Sequence, residues 1–289
     1  MLECVPNFSE GEDAELIGQI VSAVKFAKVL NLHSDPDHNR SVVTMVGEEE
    51  AIVEGAFELT ERAMQLLDVR EHQGAHPFIG VMDVIPFIPL SGSTMKEAVD
   101  AAHSLGKMLW QELKLPVYYY GEAAKIPERK ELSYVRKGGY EALKREIHEK
   151  HRRPDEGQGL HVTAGAAAVS ARDFLIAFNV NLRTNDLDIA RSIAKNIREK
   201  NGGLKGVRAL GLELKSRGVT QVSINITDHK ETSLKSVFDQ VKRWSNEYNA
   251  DIIGSELIGL IPQAATWDTI KKDLKLINFS EKSIIENNL

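Results

Sequence analysis

Residues 70–90 read REHQGAHPFIGVMDVIPFIPL, and the stretch divides in two. Arg70, Glu71, His72, Gln73 and Gly74 are polar or flexible, and Pro77 stops helical continuation. From Val81 to Leu90 every residue is apolar except Asp83 and two prolines, the pattern of a buried strand. A loop carrying two histidines therefore feeds a core strand. Scaffolds fix loops at strand ends while leaving their side chains reachable, so His76 is the first candidate for chemistry. Imidazole suits proton transfer near neutrality because its unperturbed pKa is about 6.5; the alternative is a histidine tied to a backbone carbonyl. His72 and His76 share the four-residue spacing of helical zinc pairs, but Gly74 and Pro77 oppose a helix and no glutamate accompanies them, so no metal is expected.

Working outward toward the N-terminus, residues 2–5, 28–32 and 41–46 read as strands. Residues 16–24 and about 48–67 carry apolar positions at helical spacing. With the strand at 81–90 the order is βαββαβ. The turn His33-Ser34-Asp35-Pro36-Asp37-His38-Asn39-Arg40 gathers acids, histidines and an arginine. Arg40 could fork onto a carboxylate and Asp35 could orient a histidine; alternatively the turn is a solvated tip capping its own backbone. Asn39 belongs to the same group.

Toward the C-terminus, residues 93–113 form an amphipathic helix with Ser93 or Thr94 as its cap, and 115–120 a strand. The charged run 125–150 reads as the connector between halves. A loop over 152–165 leads into the small residues 166–171, which permit close backbone approach. The βαββαβ order then repeats: strand 174–182, helix 186–199, strands 207–214 and 220–226, helix 231–248 and strand 251–255. Residues 271–289 read as a docked or frayed tail. The expectation is an α+β (α/β) chain of two ferredoxin-like subdomains, 1–172 and 173–289, with helices on the outer faces. Asn179 and Asn181 share one strand face, and Asn225 lies on another strand. They either line a polar interior or face water.

At 289 residues and 42% hydrophobic, the chain can fill two cores. Its formal charge of −6 argues against nucleic acid or polyanions as general partners. Cys4 is the single cysteine, which excludes an internal disulfide and fits a reducing, cytoplasmic setting. Neither a signal peptide nor a membrane span is expected.

The segments ECVPNFSEG, SDPDHNRSVVT, HQGAHPFIGVMDVIPFIP, LPVYYYGEAA, FLIAFNVNL, GGLKGVRALG, TQVSINITD and GSELIGLIP occur in that order from Glu3 onward. In these the chain resembles the formiminotransferase domain family over nearly its whole length. The resemblance implies transfer of a formimino group from N-formiminoglutamate to nitrogen 5 of tetrahydrofolate, the folate being a co-substrate held in a tunnel between two α/β subdomains. It implies a homodimer, with histidine degradation as the setting and cyclodeaminase activity on a separate protein. It casts His76 as the catalytic acid/base. It casts Gly157, Gln158, Gly159, Leu160, His161, Val162, Thr163, Ala164 and Gly165 as the folate-binding segment.

His33, Asp35, Asn39, Arg40, His72, Asp83, Asn179 and Asn181 are the substrate-pocket candidates, with Asp35, Asp83 and the two asparagines facing the positive amidine of the intermediate. The glycine-bearing segment reads HVTAGAAAVSAR where a threonine is common after the second glycine, and three further positions depart from the family pattern. Phe78 replaces an arginine after His-Pro, Ala75 replaces an acid, and His33 stands where some members have aspartate. A lost guanidinium beside a dicarboxylate substrate leaves two alternatives, a folate-dependent formyl transfer with a different amino-acid pocket, or a non-catalytic folate-binding subunit.

Overall fold

A computed structural model describes residues 1–90 and 92–289, and its contacts separate two units, Met1–Asp173 and Phe174–Leu289. In the first unit β1 (Leu2–Cys4) stops before Pro6, which has no N–H to give, and the strand resumes as β2 (Asn7–Phe8). Helix α1 (Ala14–Val21) starts where Asp13 accepts from the backbone N–H of Glu15 and Leu16. The hairpin β3 (Lys28–Asp35) and β4 (Arg40–Gly47), helix α2 (Glu49–Leu66) and strand β5 (Met82–Pro89) complete βαββαβ. β1 and β2 lie between β4 and β5, with β3 outside β4. This is the ferredoxin-like arrangement read from the sequence.

The sheet continues further than the sequence pattern indicates. After α3 (Met95–Leu113) come β6 (Val117–Gly121), the short helices α4 (Leu132–Val135) and α5 (Gly139–Glu146), and β7 (Ala167–Ala171). The small-residue run is a strand: β7 lies between β5 and β6, parallel to both. Alanine is poor in strands by propensity, but here the run is buried on both faces, where small side chains admit close layers. Its Ala167, Val169 and Ala171 pack with α3 residues such as Ala102 and Leu105, while Ala168 faces the opposite layer.

That opposite layer corrects a second expectation. Segment 125–150 does not link the halves; it folds back on the first unit. Val135, Leu143 and Ile147 from α4, α5 and the end of α5 cluster with Val84, Tyr118 and Tyr120 on the sheet face away from α1–α3. The helices of this unit therefore do not all lie on one face. The segment is held by Arg129, which pairs with Asp155 at 2.7 Å with both side chains buried, and by Arg152, which donates to the carbonyls of Tyr134, Val135 and Lys137. Charged residues made it look like a connector, yet Arg129 and Arg152 are buried and internally paired.

Helix α3 opens with a reciprocal cap. The Thr94 side chain accepts from Glu97 N, and the Glu97 carboxylate accepts from Thr94 N at 2.6 Å. Thr94→Ala is expected to cost about 1 kcal/mol, read as a lower denaturant midpoint with unchanged slope.

The second unit contains β8 (Ile176–Leu182), α6 (Leu187–Ile197), β9 (Val207–Leu214), β10 (Val219–Ile226), α7 (Leu234–Glu247) and β11 (Ile252–Ile258). Its strand order is β11-β8-β10-β9, all antiparallel. Ala190, Ile193, Ala194 and Ile197 of α6 recur at three- and four-residue steps and meet Phe178, Val180, Val222 and Ile224. Each fully buried isoleucine contributes about 1.5–3 kcal/mol. The tail is docked. Ser255 N donates to Lys275 O, and Ile277 N to Ser255 O; Ile261 exchanges similar bonds with Ser283 and Ile285.

Candidate active site

The site in the first unit is built where β5 begins. Asn7 pairs with Val84 and Phe8 with Met82, so Asp83 is an extra residue on its strand. Such a bulge re-aims a side chain, and here it turns the Asp83 carboxylate, 1% exposed, toward two guanidinium groups. Arg40, from the start of β4, donates through one terminal nitrogen to Asp83 Oδ2 at 2.8 Å. Its other nitrogens donate to Asn7 Oδ1 at 2.9 and 2.7 Å. Arg136, just after α4, donates to both Asp83 oxygens. Ile79 N adds a further bond to Oδ1 at 3.2 Å.

His76 sits against this cluster. Its Nδ1 lies 2.6 Å from an Arg40 terminal nitrogen and 2.8 Å from the Pro77 carbonyl oxygen. Its ring centroid is 6.0 Å from that of His38. The loop bearing His76 is tied to the β3–β4 turn. Asn39 donates to Gln73 O and accepts from Gly11 N, and Ala75 N donates to Asp37 O. Burial, then the charges of Arg40 and Arg136 and the neighbouring His38, hold the His76 pKa well below the usual imidazole range. Burial draws the Arg40 pKa down to about 10 against the pull of Asp83, so at neutral pH Arg40 is charged and His76 is neutral.

The lowered pKa sets the sign of two pH effects. Below about pH 6.5 an unfolded His76 binds a proton that the folded one refuses. The stability contribution is complete above that value and is lost as pH falls toward the folded pKa. For a reaction that uses His76 as its base, the acid limb of kcat/KM is likewise expected below pH 6.5, and a limb at or above 6.5 in a pH–rate profile contradicts that use of a depressed His76.

The remaining candidates are placed as follows. Asp35 is buried and accepts from His38 N at 2.9 Å, a turn-capping contact. His33 pairs across the hairpin with Val42. His72 meets Phe78 edge-on, with ring centroids 4.5 Å apart, and burial lowers its pKa. Asp83 is engaged by two arginines, so it anchors cations rather than offering a free carboxylate to an amidine. Phe78 packs against the His72 and Tyr140 rings, and the guanidinium in direct contact with the imidazole is that of Arg40.

The glycine-bearing segment approaches the same strand entry. His161 and Gly165 exchange backbone bonds of 2.9 and 3.0 Å, and His161 Nδ1 accepts from Ala164 N at 3.0 Å. Val81 N donates to Ala164 O and Val69 N to Thr163 O. Gly165 has φ +73°, and a Cβ there would stand 2.5 Å from Ile79 O, so glycine is required for this approach. Val162 is exposed, Leu160 is half-buried against the core, and Gly157 lies over the Trp110 ring. Gln158 is exposed and Gly159, with φ +76°, has open space around it.

In the second unit, Asn179 and Asn181 are buried on the sheet face away from α6 and α7. Gln221 donates to Asn181 Oδ1, Asn181 donates to Glu256 Oε1, and Arg217 donates to the same oxygen, at 2.8, 2.8 and 2.9 Å. Asn225 is exposed and takes no part. Sequence reasoning missed Asn7, Arg136, Gln221, Glu256 and Arg217, and it named His38 only as part of the turn. Asn7 had a signal, an amide in a two-residue strand directly after Pro6. Arg136 had none, because it meets Asp83 across 53 residues.

Among the described residues, no group of three or more His, Cys, Asp or Glu side chains could hold a metal. Among the same residues no helix is long and apolar enough to cross a membrane.

Fold and geometry together define a two-unit α/β protein with an imidazole set beside a guanidinium–carboxylate cluster. Residues 1–172 match the formiminotransferase domain, N-terminal subdomain, and residues 177–287 the formiminotransferase domain. The chain is 40% identical to glutamate formimidoyltransferase of Thermoplasma acidophilum, covering 100% of this chain and 97% of that protein. It is 40% identical to that of Streptococcus pyogenes serotype M1, covering 100% and 98%. Formimidoyltransferase-cyclodeaminase of Rattus norvegicus is 41% identical over 93% of this chain and 51% of its own length. The chain belongs to the formiminotransferase domain family.

Proposed function

We propose that this protein transfers the formimino group from N-formimino-L-glutamate to nitrogen 5 of tetrahydrofolate, with His76 carrying the proton. The nitrogen attacks the amidine carbon and a C–N bond forms. The proton shed by that nitrogen passes to the imidazole and then to the departing glutamate amine as the original C–N bond breaks. The observation that carries this reading is the neutral His76 beside Arg40, Asp83 and Arg136, two cations against one anion. The surplus positive charge suits a dicarboxylate substrate. The cluster sets two guanidinium groups at the site without an arginine at position 78, and the archaeal and bacterial relatives weigh on the same side.

The segment from Gly157 to Gly165 is the proposed tetrahydrofolate contact, supported by its exposed Gln158 and Val162 and by its junction with the strand entry after His76. A cytoplasmic homodimer working in histidine degradation, with cyclodeamination on a separate protein, completes the reading. Mixing the protein with tetrahydrofolate and formiminoglutamate should give the absorbance change of the formimino-folate product. Bound folate without turnover overturns the reading and favours the formyl-transfer or binding-only alternatives.

A further inference from the structure

His76 Nδ1 has two neighbours that require opposite things of it. Every nitrogen of the Arg40 guanidinium donates and none accepts. At 2.6 Å from Arg40, Nδ1 can only be the acceptor, which places the ring proton on Nε2. The Pro77 carbonyl oxygen, 2.8 Å from the same Nδ1, can only accept, and it calls for a proton on Nδ1. Both cannot be satisfied together. In the resting arrangement Arg40 prevails because it is held by other contacts, two bonds to Asn7 Oδ1 and one to Asp83 Oδ2. Asp83 is in turn fixed by Arg136 and by Ile79 N. The Pro77 oxygen is left facing a lone pair.

The resting tautomer is the wrong one for the first chemical step. A base must present a lone pair to the attacking nitrogen, and with Nδ1 turned into the Arg40–Asp83 cluster, Nε2 is the nitrogen left to do so. Nε2 has that lone pair only after the proton has moved to Nδ1.

We infer that Arg40 is a positioning residue that holds His76 in its inactive tautomer until a substrate carboxylate engages the guanidinium. The inference rests on the proposed transfer from a dicarboxylate amidine. A carboxylate accepts charge-assisted bonds from arginine more strongly than a neutral imidazole does. As one draws the Arg40 terminal nitrogen from Nδ1, the ring releases the Nε2 proton to water and takes one at Nδ1. The new Nδ1–H donates to the Pro77 oxygen, already at hydrogen-bond distance. No net proton is gained or lost, and Nε2 becomes the base. The charged groups around the ring that take part are Arg40, Arg136 and Asp83, and His38 stands as a second imidazole with its ring centroid 6.0 Å away. The arrangement makes the base competent only when the amino-acid substrate is present.

The tautomer is read directly from two-bond 1H–15N correlation spectra of protein labelled at its histidines, with His76 assigned by its disappearance in His76→Ala. The ligand-free protein above pH 7 should show Nε2 protonated and Nδ1 unprotonated. Arg40→Met removes every guanidinium N–H and should interchange the two nitrogen resonances without ligand. Saturation with formiminoglutamate alone, tetrahydrofolate being absent so that no turnover occurs, should produce the same interchange in the wild-type protein. A protonated Nδ1 in the ligand-free wild-type protein overturns the assignment whatever Arg40→Met does. Calorimetric saturation by formiminoglutamate with no interchange overturns the gate while leaving the transfer reaction intact. Failure of formiminoglutamate to bind at all counts against the proposed reaction and the gate together, and the ligand-free comparison still decides what Arg40 does to the ring.

Discussion

His76→Ala is expected to lower turnover by about two to four orders of magnitude while leaving tetrahydrofolate affinity within a few-fold. The size follows from what is removed. Alanine can neither take the proton from the attacking nitrogen nor return one to the departing amine, so both steps depend on water. The substitution also leaves the Arg40 guanidinium with Asn7 and Asp83, so the cation cluster keeps its charge partners. The measurement is single-turnover formimino transfer beside equilibrium folate binding. A variant with near-normal turnover would falsify the acid/base role, and one that loses folate binding to the same degree as turnover would make the loop a binding element.

The second large effect is on stability. Asp83→Ala should destabilise the first unit by about 3–5 kcal/mol, the cost of stranding a charge inside a protein. Asp83 is 1% exposed, and its partners Arg40 and Arg136 are 12% and 14% exposed, so little water is available to replace the carboxylate. Asp83→Asn keeps one acceptor oxygen but sets an NH2 against the donors on the other side, so it should recover only part of the loss. Urea unfolding followed through Trp110, the tryptophan of this unit, reports the change. A loss below about 1 kcal/mol, the range of an exposed pair, would show that the cluster is solvated in solution. Turnover of Asp83→Ala should also fall, because Arg40 loses one of the anchors that hold its guanidinium in place to receive the substrate carboxylate.

The contrast between Arg40 and Phe78 shows why local reading of a site goes astray. Beside His76-Pro77, phenylalanine suggests a pocket stripped of its cation. In space, the position next to the imidazole is filled from β4, 36 residues earlier, and from the end of α4 through Asp83. Asp83 itself was legible as an acid inside an apolar strand, but not its task. Without the bulge opposite Asn7 and Phe8 there is no way to know that its carboxylate turns toward the arginines. The run 125–150 misled for a related reason. Composition records how many charges a segment has, not whether they are paired, and Arg129 and Arg152 are buried because Asp155 and a set of backbone carbonyls receive them.

The amino-acid sequence by itself determined the repeated βαββαβ order, the family, and the presentation of His76 on a loop before a core strand. These depend on periodicity, on proline and glycine punctuation and on contiguous motifs, all of which act over a few residues. Tertiary structure alone decided that an alanine run is a strand, that charged helices cover the second face of the first sheet, and which cations surround the imidazole. Those outcomes depend on burial and on charge pairs closed between residues tens of positions apart, and the energy of such pairs is fixed by the fold that brings them together.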